Sequence, residues 1–555
     1  MEADAQGQTY GRSCTLVCAV MTTTAPPPPR TSRRRLAVAA GVATAAVVAS
    51  VLAGPGANAA AAVDDALAAR PSPGAAGIGD PLYPTLGNGG YTVSHYDLDL
   101  RYATSAPSQG IDGTVTVDAV ATQALSRFDL DFAGPGVGSV SVDGRPATFT
   151  RDGDELVITP ARPLVKGRPF AVRVNHFTAA PTVPNPDEFL STVFVQTPDG
   201  SVWAGQPNGS HQIFPCNDHP KDKASFSFRI DVPNGTTAVA NGVLAGRSSA
   251  AGRTVFRYEQ PEPMATELAQ VAVGALTVVP RRSADGVVVR DVVPTRLVPQ
   301  LDAKLATVGS HLDWMTRKVG AYPFRTYGSL IADADLGFAL ETQTLSLYDL
   351  SLFQDTPEGY WGPVMVHELA HQWFGDSVAP SRWGDIWQNE GHATWYEFQY
   401  AAEKGFLADD TGIADLTDLM KAIYARSDLW RDAYGPPGAP TSGDVDELFN
   451  VNVYYGGALV LYALRQKVGD ATFQRIERTW VSSNRGTSAS TDDFIRLAAS
   501  VGGKDVAPFL RAWLYGATTP AMPGHADWTV QPSSAAAAAA RAATPGGGLK
   551  PFVRR

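Results

Sequence analysis

The chain has 555 residues, 44% of them apolar and 18% charged, with a formal net charge of −10. That composition can build a large core and excludes a disordered chain. The acidic balance supplies no surplus of cations to neutralise phosphates, so a nucleic-acid partner is not expected.

Residues 36 to 53, LAVAAGVATAAVVASVLA, form an uncharged apolar run. Arg30, Arg33, Arg34 and Arg35 precede it, and Ala57-Asn58-Ala59 follows with the small-x-small pattern of a cleavage site. Residues 1–59 are therefore expected to be an export signal cleaved after Ala59. That predicts a secreted or extracytoplasmic protein with no permanent membrane span in its mature form. The run is short and Ala-rich, which speaks against the alternative of a retained anchor. Ser32-Arg33-Arg34-Arg35-Leu36 resembles a twin-arginine signal. A second methionine, Met21, stands nearer the basic cluster and offers an alternative start. Cleavage would leave a net charge of −13 and one cysteine, Cys216. A single cysteine forms no internal disulfide, so the exported chain must depend on its core. Cys216 itself reads as buried and inert.

Residues 60–85 are rich in Ala, Pro and Gly and read as a linker. Residues 86–280 read as an N-terminal β domain. Tyr96 to Leu100, Thr114 to Val117 and Phe170 to Val174 alternate with period two. Turn signals at Asp152-Gly153-Asp154, Asp199-Gly200 and Asn234-Gly235 separate such runs and predict antiparallel pairing. From 281 the spacing turns helical, over 301–319, 363–376, 388–403, 453–468, 471–482 and 491–500. A short β section at 326–348 interrupts it. The expected fold is thus α+β, with a mixed second domain over 281–520 that becomes helical late. Residues 521–555 contain an Ala run and Gly546-Gly547-Gly548, and read as a disordered low-complexity tail.

His367-Glu368-Leu369-Ala370-His371 carries the chemistry. Two histidines four apart lie on one face of a helix and can share a metal ion. Nine histidines in 555 positions would produce this pattern by chance far less than once. Zinc needs a third protein ligand and keeps a fourth position for water. Glu390 follows His371 after eighteen residues and opens a second amphipathic stretch. The rival arrangement, Gly and His at +3 and +6 from the second histidine, is absent, because those positions are Phe374 and Ser377. His392 lies two residues from Glu390 and is expected to point elsewhere.

The stretch from His367 to Ala393, HELAHQWFGDSVAPSRWGDIWQNEGHA, resembles the zinc aminopeptidases of the aminopeptidase N and leukotriene-hydrolase type. That family pairs H-E-x-x-H with a Glu inside N-E-G-F-A, and here His392 replaces the Phe. Glu397 matches an acidic position that the family often carries. Ala339-Leu340-Glu341-Thr342 resembles the end of the family's G-A-M-E-N segment, with Phe338, Leu340 and Thr342 departing from it. Phe214-Pro215-Cys216-Asn217-Asp218-His219-Pro220, followed by Lys223-Ala224 and Phe226, resembles F-P-C-x-D-x-P-x-x-K-A-x-F. Tyr454-Tyr455-Gly456-Gly457 resembles the Y-x-x-G segment.

The resemblance spans about residues 90 to 515. It implies a saddle-like N-terminal β domain on a thermolysin-like catalytic domain. Larger family members add a long helical C-terminal domain; the sequence ends too soon for one, so no such domain is expected here. One Zn2+ per chain would be held by His367, His371 and Glu390, with Glu368 as general base. Tyr454 would stabilise the transition state, with Tyr455 as the alternative. Glu341, helped by Gln206, would hold the α-ammonium, so that peptides with a free N-terminus are the substrates. Two other readings stay open: a zinc endopeptidase on the same scaffold, in which Glu341 is incidental, and a non-catalytic zinc-containing peptide-binding protein.

Overall fold

Hydrophobic alternation in residues 86–280 builds one large sheet. A computed structural model describes residues 70–184 and 192–531. The expected export signal and the Ala- and Gly-rich end of the tail lie outside them. Among the described residues eleven strands join in the main sheet. Its centre holds β1 (Tyr91–Tyr102), β2 (Ile111–Ala121), β3 (Pro169–Ala179), β4 (Ala224–Pro233) and β5 (Arg253–Met264). In β1 the side chains of Tyr96, Leu98 and Leu100 are buried while Asp97 is exposed, the signature of a sheet with one wet face. β1 pairs antiparallel with β2, placing Tyr96 opposite Val117.

The expectation of a purely antiparallel sheet needs correction. β1 pairs parallel with β4, Tyr96 opposite Phe226, and Ser72–Pro73 pairs parallel with Leu125–Asp131. The parallel β1–β4 pair is possible because the long connection through residues 103–223 gives the chain room to cross over. A four-stranded sheet of 194–197, 200–203, 237–240 and 271–274 forms beside it.

A second large sheet of six strands lies between 276 and 349. Leu276–Arg282 pairs with Val288–Pro294, so this sheet begins before residue 281, where the sequence pattern changes. The expected helix over 301–319 is two helices, α1 (Val298–Leu305) and α2 (Val308–Val319). Then come α3 (Glu358–His371), α4 (Trp387–Lys404), α5 (Leu416–Tyr434), α6 (Gly457–Val468), α7 (Asp470–Ser483), α8 (Thr491–Gly502) and α9 (Val506–Tyr515). α3 and α4 pack against each other, and α6 lies across α4.

Two low-complexity boundaries are also corrected. Residues 70–85 stay largely exposed but are tied to the fold at several points rather than free as a linker. Asp80, 3% exposed, accepts from the Trp383 N–H at 2.6 Å and sits 3.1 Å from His219 Nε2. Residues 521–531 are likewise tied to the fold. Trp528 stacks on Tyr462 with rings 3° apart, and the Gln531 N–H donates to the Ala425 carbonyl at 2.8 Å. In both segments one or two large or charged side chains find partners that composition alone does not reveal.

Candidate active site

α3 is buried on nearly every side. Its His367 and His371 stand one turn apart, with ring centroids 4.9 Å from each other. α4 delivers Glu390 from its first turn. Glu390 Oε2 lies 3.4 Å from His367 Nε2 and 3.5 Å from His371 Nε2. The opposite nitrogens are committed. His367 Nδ1 bonds Glu397 Oε2 at 2.8 Å, and His371 Nδ1 bonds the Phe374 carbonyl at 3.1 Å. Both partners are acceptors, so both Nδ1 atoms carry hydrogen, and the Nε2 atoms and the Glu390 oxygen converge where a cation bound in place of the Nε2 protons would take their lone pairs.

That donor set fits zinc. Ligand atoms around a tetrahedral zinc ion, at bond lengths of about 2.0–2.2 Å, stand about 3.4 Å from one another. Two imidazole nitrogens and one carboxylate oxygen, all buried, meet that spacing. Burial opposes charge on Glu390, yet His371 leads the groups that overcome it and hold its carboxyl at about 2. Burial also opposes a proton on His371, and Glu341 and Glu390 raise it to about 9. The pocket therefore attracts positive charge. Glu341, Glu368 and His371 make a second grouping within 4.8 Å. It is no independent metal site, because it shares His371 with the first set.

Gln206, Glu341, His367, Glu368, His371, Glu390 and Tyr454 all line one pocket. Glu368 follows the first histidine on α3, and burial lifts its carboxyl to about 8 against the pull of His367 and His371. Glu341 leaves the short strand Ala339–Leu340, and the Gln372 side-chain amide donates to its backbone carbonyl at 3.0 Å. Gln206 reaches in from the N-terminal domain, and its Nε2 donates to Glu341 Oε1 at 2.7 Å. Tyr454 lies in a π-helical turn, Asn452–Gly456, that runs into α6. Such turns are frequent at functional sites, because the extra residue re-aims a side chain. The Tyr454 ring stacks on His367 at 6.0 Å. Burial, then Glu390 and Glu341, push its phenol far up, so it keeps its proton.

Two of the alternatives are separated by geometry. Tyr455 packs against Phe398 and Trp430 and does not line the pocket. His392 stacks on Phe374 at 4.3 Å, bonds the Gln388 carbonyl through Nδ1 at 2.7 Å, and places Nε2 3.5 Å from Glu477. Two steps along a helix turn a side chain by roughly 200°, which takes His392 away from the metal set. Sequence reasoning missed Phe449, which lines the pocket from the turn after Val445–Leu448. No periodicity marks such a position. The Phe374 carbonyl that orients His371 is a backbone group and leaves no residue signal either.

Two family models match this chain. The Peptidase M1 N-terminal domain matches residues 92–268, and the Peptidase family M1 domain matches residues 322–513. Among curated relatives, Aminopeptidase M1 of Arabidopsis thaliana is 25% identical over 56% of this chain and 36% of its own length. Aminopeptidase N of Streptomyces lividans is 25% identical over 76% of this chain and 50% of its own length. The chain thus spans a third to a half of the curated relatives it matches. Among solved structures, an M1 zinc metallopeptidase from Deinococcus radiodurans superposes with a TM-score of 0.68 at 28% identity, covering 80% of this chain and 99% of that one. The family implies one zinc ion per chain, and the His367–His371–Glu390 set is the group that fits it. With both family models matched in order and the metal set formed between α3 and α4, this chain belongs to peptidase family M1.

Proposed function

We propose that this chain is an exported zinc aminopeptidase that hydrolyses the first peptide bond of peptides with a free N-terminus. One observation carries the reading. The Gln206–Glu341 pair closes the same pocket that the His367–His371–Glu390 set opens into. Glu341, Glu368 and His371 offer polar atoms within 4.8 Å of one another. An amine held by Glu341 therefore leaves only the first peptide bond within reach of Glu368. The supporting relatives carry aminopeptidase names, and a mutant of the Deinococcus metallopeptidase is described with a Tyr-Ser-Ala substrate.

His367, His371 and Glu390 would hold a zinc ion, which would supply Lewis-acid chemistry to the pocket. Glu341 and the Gln206 amide oxygen receive the α-ammonium and set the register of the peptide. Glu368, in its carboxylate form, takes a proton from the attacking water and returns it to the leaving amine. The Tyr454 hydroxyl, held in its protonated form, donates to the carbonyl oxygen as that oxygen gains charge. Export rests on the basic cluster Arg30 to Arg35, the apolar run after it and Ala57-Asn58-Ala59. Among the described residues no helix is long and apolar enough to cross a membrane.

The test is hydrolysis of a panel of aminoacyl-fluorophores, with and without a chelator, beside N-acetylated controls. Chelator-sensitive release from free-amine substrates alone is expected. Equal cleavage of acetylated substrates would replace the aminopeptidase by an endopeptidase.

A further inference from the structure

The segment Phe214 to Asp218 sends no side chain into the pocket, yet its aspartate is tied to the loop that does. Asp218 is 1% exposed. Its Oδ2 accepts from the His211 backbone N–H at 3.0 Å and bonds His211 Nδ1 at 2.8 Å. Its Oδ1 accepts from the Thr266 hydroxyl at 2.7 Å. Its own N–H donates to Asp131 Oδ2 at 2.8 Å, which anchors the clamp to the main sheet.

His211 and Thr266 hold the two sides of the loop that carries Gln206. Ser210 Oγ donates to the Thr266 carbonyl at 2.8 Å, and the Gly209 N–H donates to the Gly205 carbonyl at 2.7 Å. A Cβ on Gly205 would come 2.3 Å from Ser210 Oγ and displace it from that bond. Residues 205–211 are thus drawn into a buried ring with Asp218 as the charged group at its far end. Gln206, 4% exposed, leaves this ring to reach Glu341.

We propose that Asp218 is a positioning residue for Gln206, and that it governs recognition of the substrate's α-ammonium without touching the substrate. This rests on the aminopeptidase reading. A carboxylate is required because the three groups facing its oxygens present donors to it. Asparagine would keep one acceptor oxygen and turn an NH2 toward donors. A slackened ring lets the Gln206 amide drift from Glu341. His367, Glu368, His371 and Glu390 stand on α3 and α4 and keep their geometry. The effect therefore falls on the amine anchor rather than on the metal.

The test compares two inhibitors that differ only in the α-amino group, an amino-acid hydroxamate and its desamino analogue. The ratio of their inhibition constants reads the anchor, and Gln206→Ala gives the reference loss. Asp218→Asn is expected to cut the ratio about five- to tenfold, with zinc content unchanged. The double variant with Gln206→Ala should lose no more than Gln206→Ala alone. Thr266→Val removes one of the three donors and should give an intermediate loss, and it decides the matter if Asp218→Asn does not fold. An unchanged ratio in folded, zinc-loaded variants overturns the proposal. Equal weakening of both inhibitors by Asp218→Asn also overturns it, because it signals a general loss of structure. A wild-type protein that binds both inhibitors equally instead overturns the aminopeptidase reading.

Discussion

Gly391 and Gly457 meet backbone to backbone where α4 crosses the start of α6. A Cβ on Gly391 would lie 2.8 Å from the Gly457 Cα, and one on Gly457 would lie 2.7 Å from the Gly391 Cα. Real Cβ atoms do not approach backbone so closely, so only glycine lets the helices touch here. Gly391 follows the ligand Glu390, and Gly457 follows the turn that carries Tyr454. The crossing therefore sets the distance between the metal set and the phenol. Gly391→Ala is expected to cost about 1–3 kcal/mol of stability by overpacking. It should also lower zinc affinity, because Glu390 must move with its neighbour. Denaturant unfolding and metal titration of the same variant check both, and a fully stable variant with native zinc affinity would refute the crossing's role.

Glu397 stands one short step behind the metal set, bonded to His367 Nδ1 at 2.8 Å. It lies two turns along α4 from Glu390, so one helix supplies a ligand and the orienting group of another. Glu397→Gln keeps the shape and offers only one acceptor oxygen. Zinc affinity is expected to fall about 10- to 100-fold, the usual cost of losing such a partner. Competition with a fluorescent chelator measures it, and unchanged affinity would show that packing alone orients His367.

Much of this site could be read from spacing, and the reason is local. His367, Glu368 and His371 share one helix, and their relative placement follows from 3.6 residues per turn. Glu390 needs one helix–helix contact, and the eighteen-residue interval encodes it only by resemblance. Gln206 lies far from Glu341 in the chain, and no local rule predicts their 2.7 Å contact. The parallel pairing of β1 with β4 was equally hidden, because alternation reports which face is buried and not which neighbour is paired. α3 has apolar residues on all sides, so periodicity located it less well than its motif did. Asp80 and Trp528 sit in Ala-, Pro- and Gly-rich surroundings, and single anchors there outweigh composition.

His311 sets a pH limit on stability. It is fully buried on α2, edge-on to Tyr400 at 5.2 Å. Burial, aided by Lys404, lowers its pKa to about 3. The unfolded chain binds a proton near pH 6.5 and the folded one does not, so stability is lost as pH falls from 6.5 toward 3. The loss from this group amounts to about 1.4 kcal/mol per pH unit across that window. His311→Leu should flatten the acid limb of the Tm-against-pH curve below pH 6.5 and leave its course above pH 7 unchanged. Parallel curves for the two proteins between pH 4 and 6.5 would refute the assignment.

Tyr454 and Tyr455 are neighbours in sequence with opposite surroundings. Tyr454 lines the pocket and stacks on His367, whereas Tyr455 packs between Phe398 and Trp430. A hydroxyl that donates only to a developing oxyanion contributes to the transition state and little to the bound substrate. Tyr454→Phe is therefore expected to lower kcat on the order of 10²- to 10³-fold with little change in KM. The zinc content should stay native, since His367, His371 and Glu390 supply three converging ligand atoms and all three are kept. Tyr455→Phe should leave kcat within a few-fold of wild type and register, if anywhere, in thermal stability. Steady-state kinetics on one free-amine fluorophore distinguishes the two. If Tyr455→Phe proved the damaging change and Tyr454→Phe the mild one, the oxyanion donor would have to come from another group around the pocket.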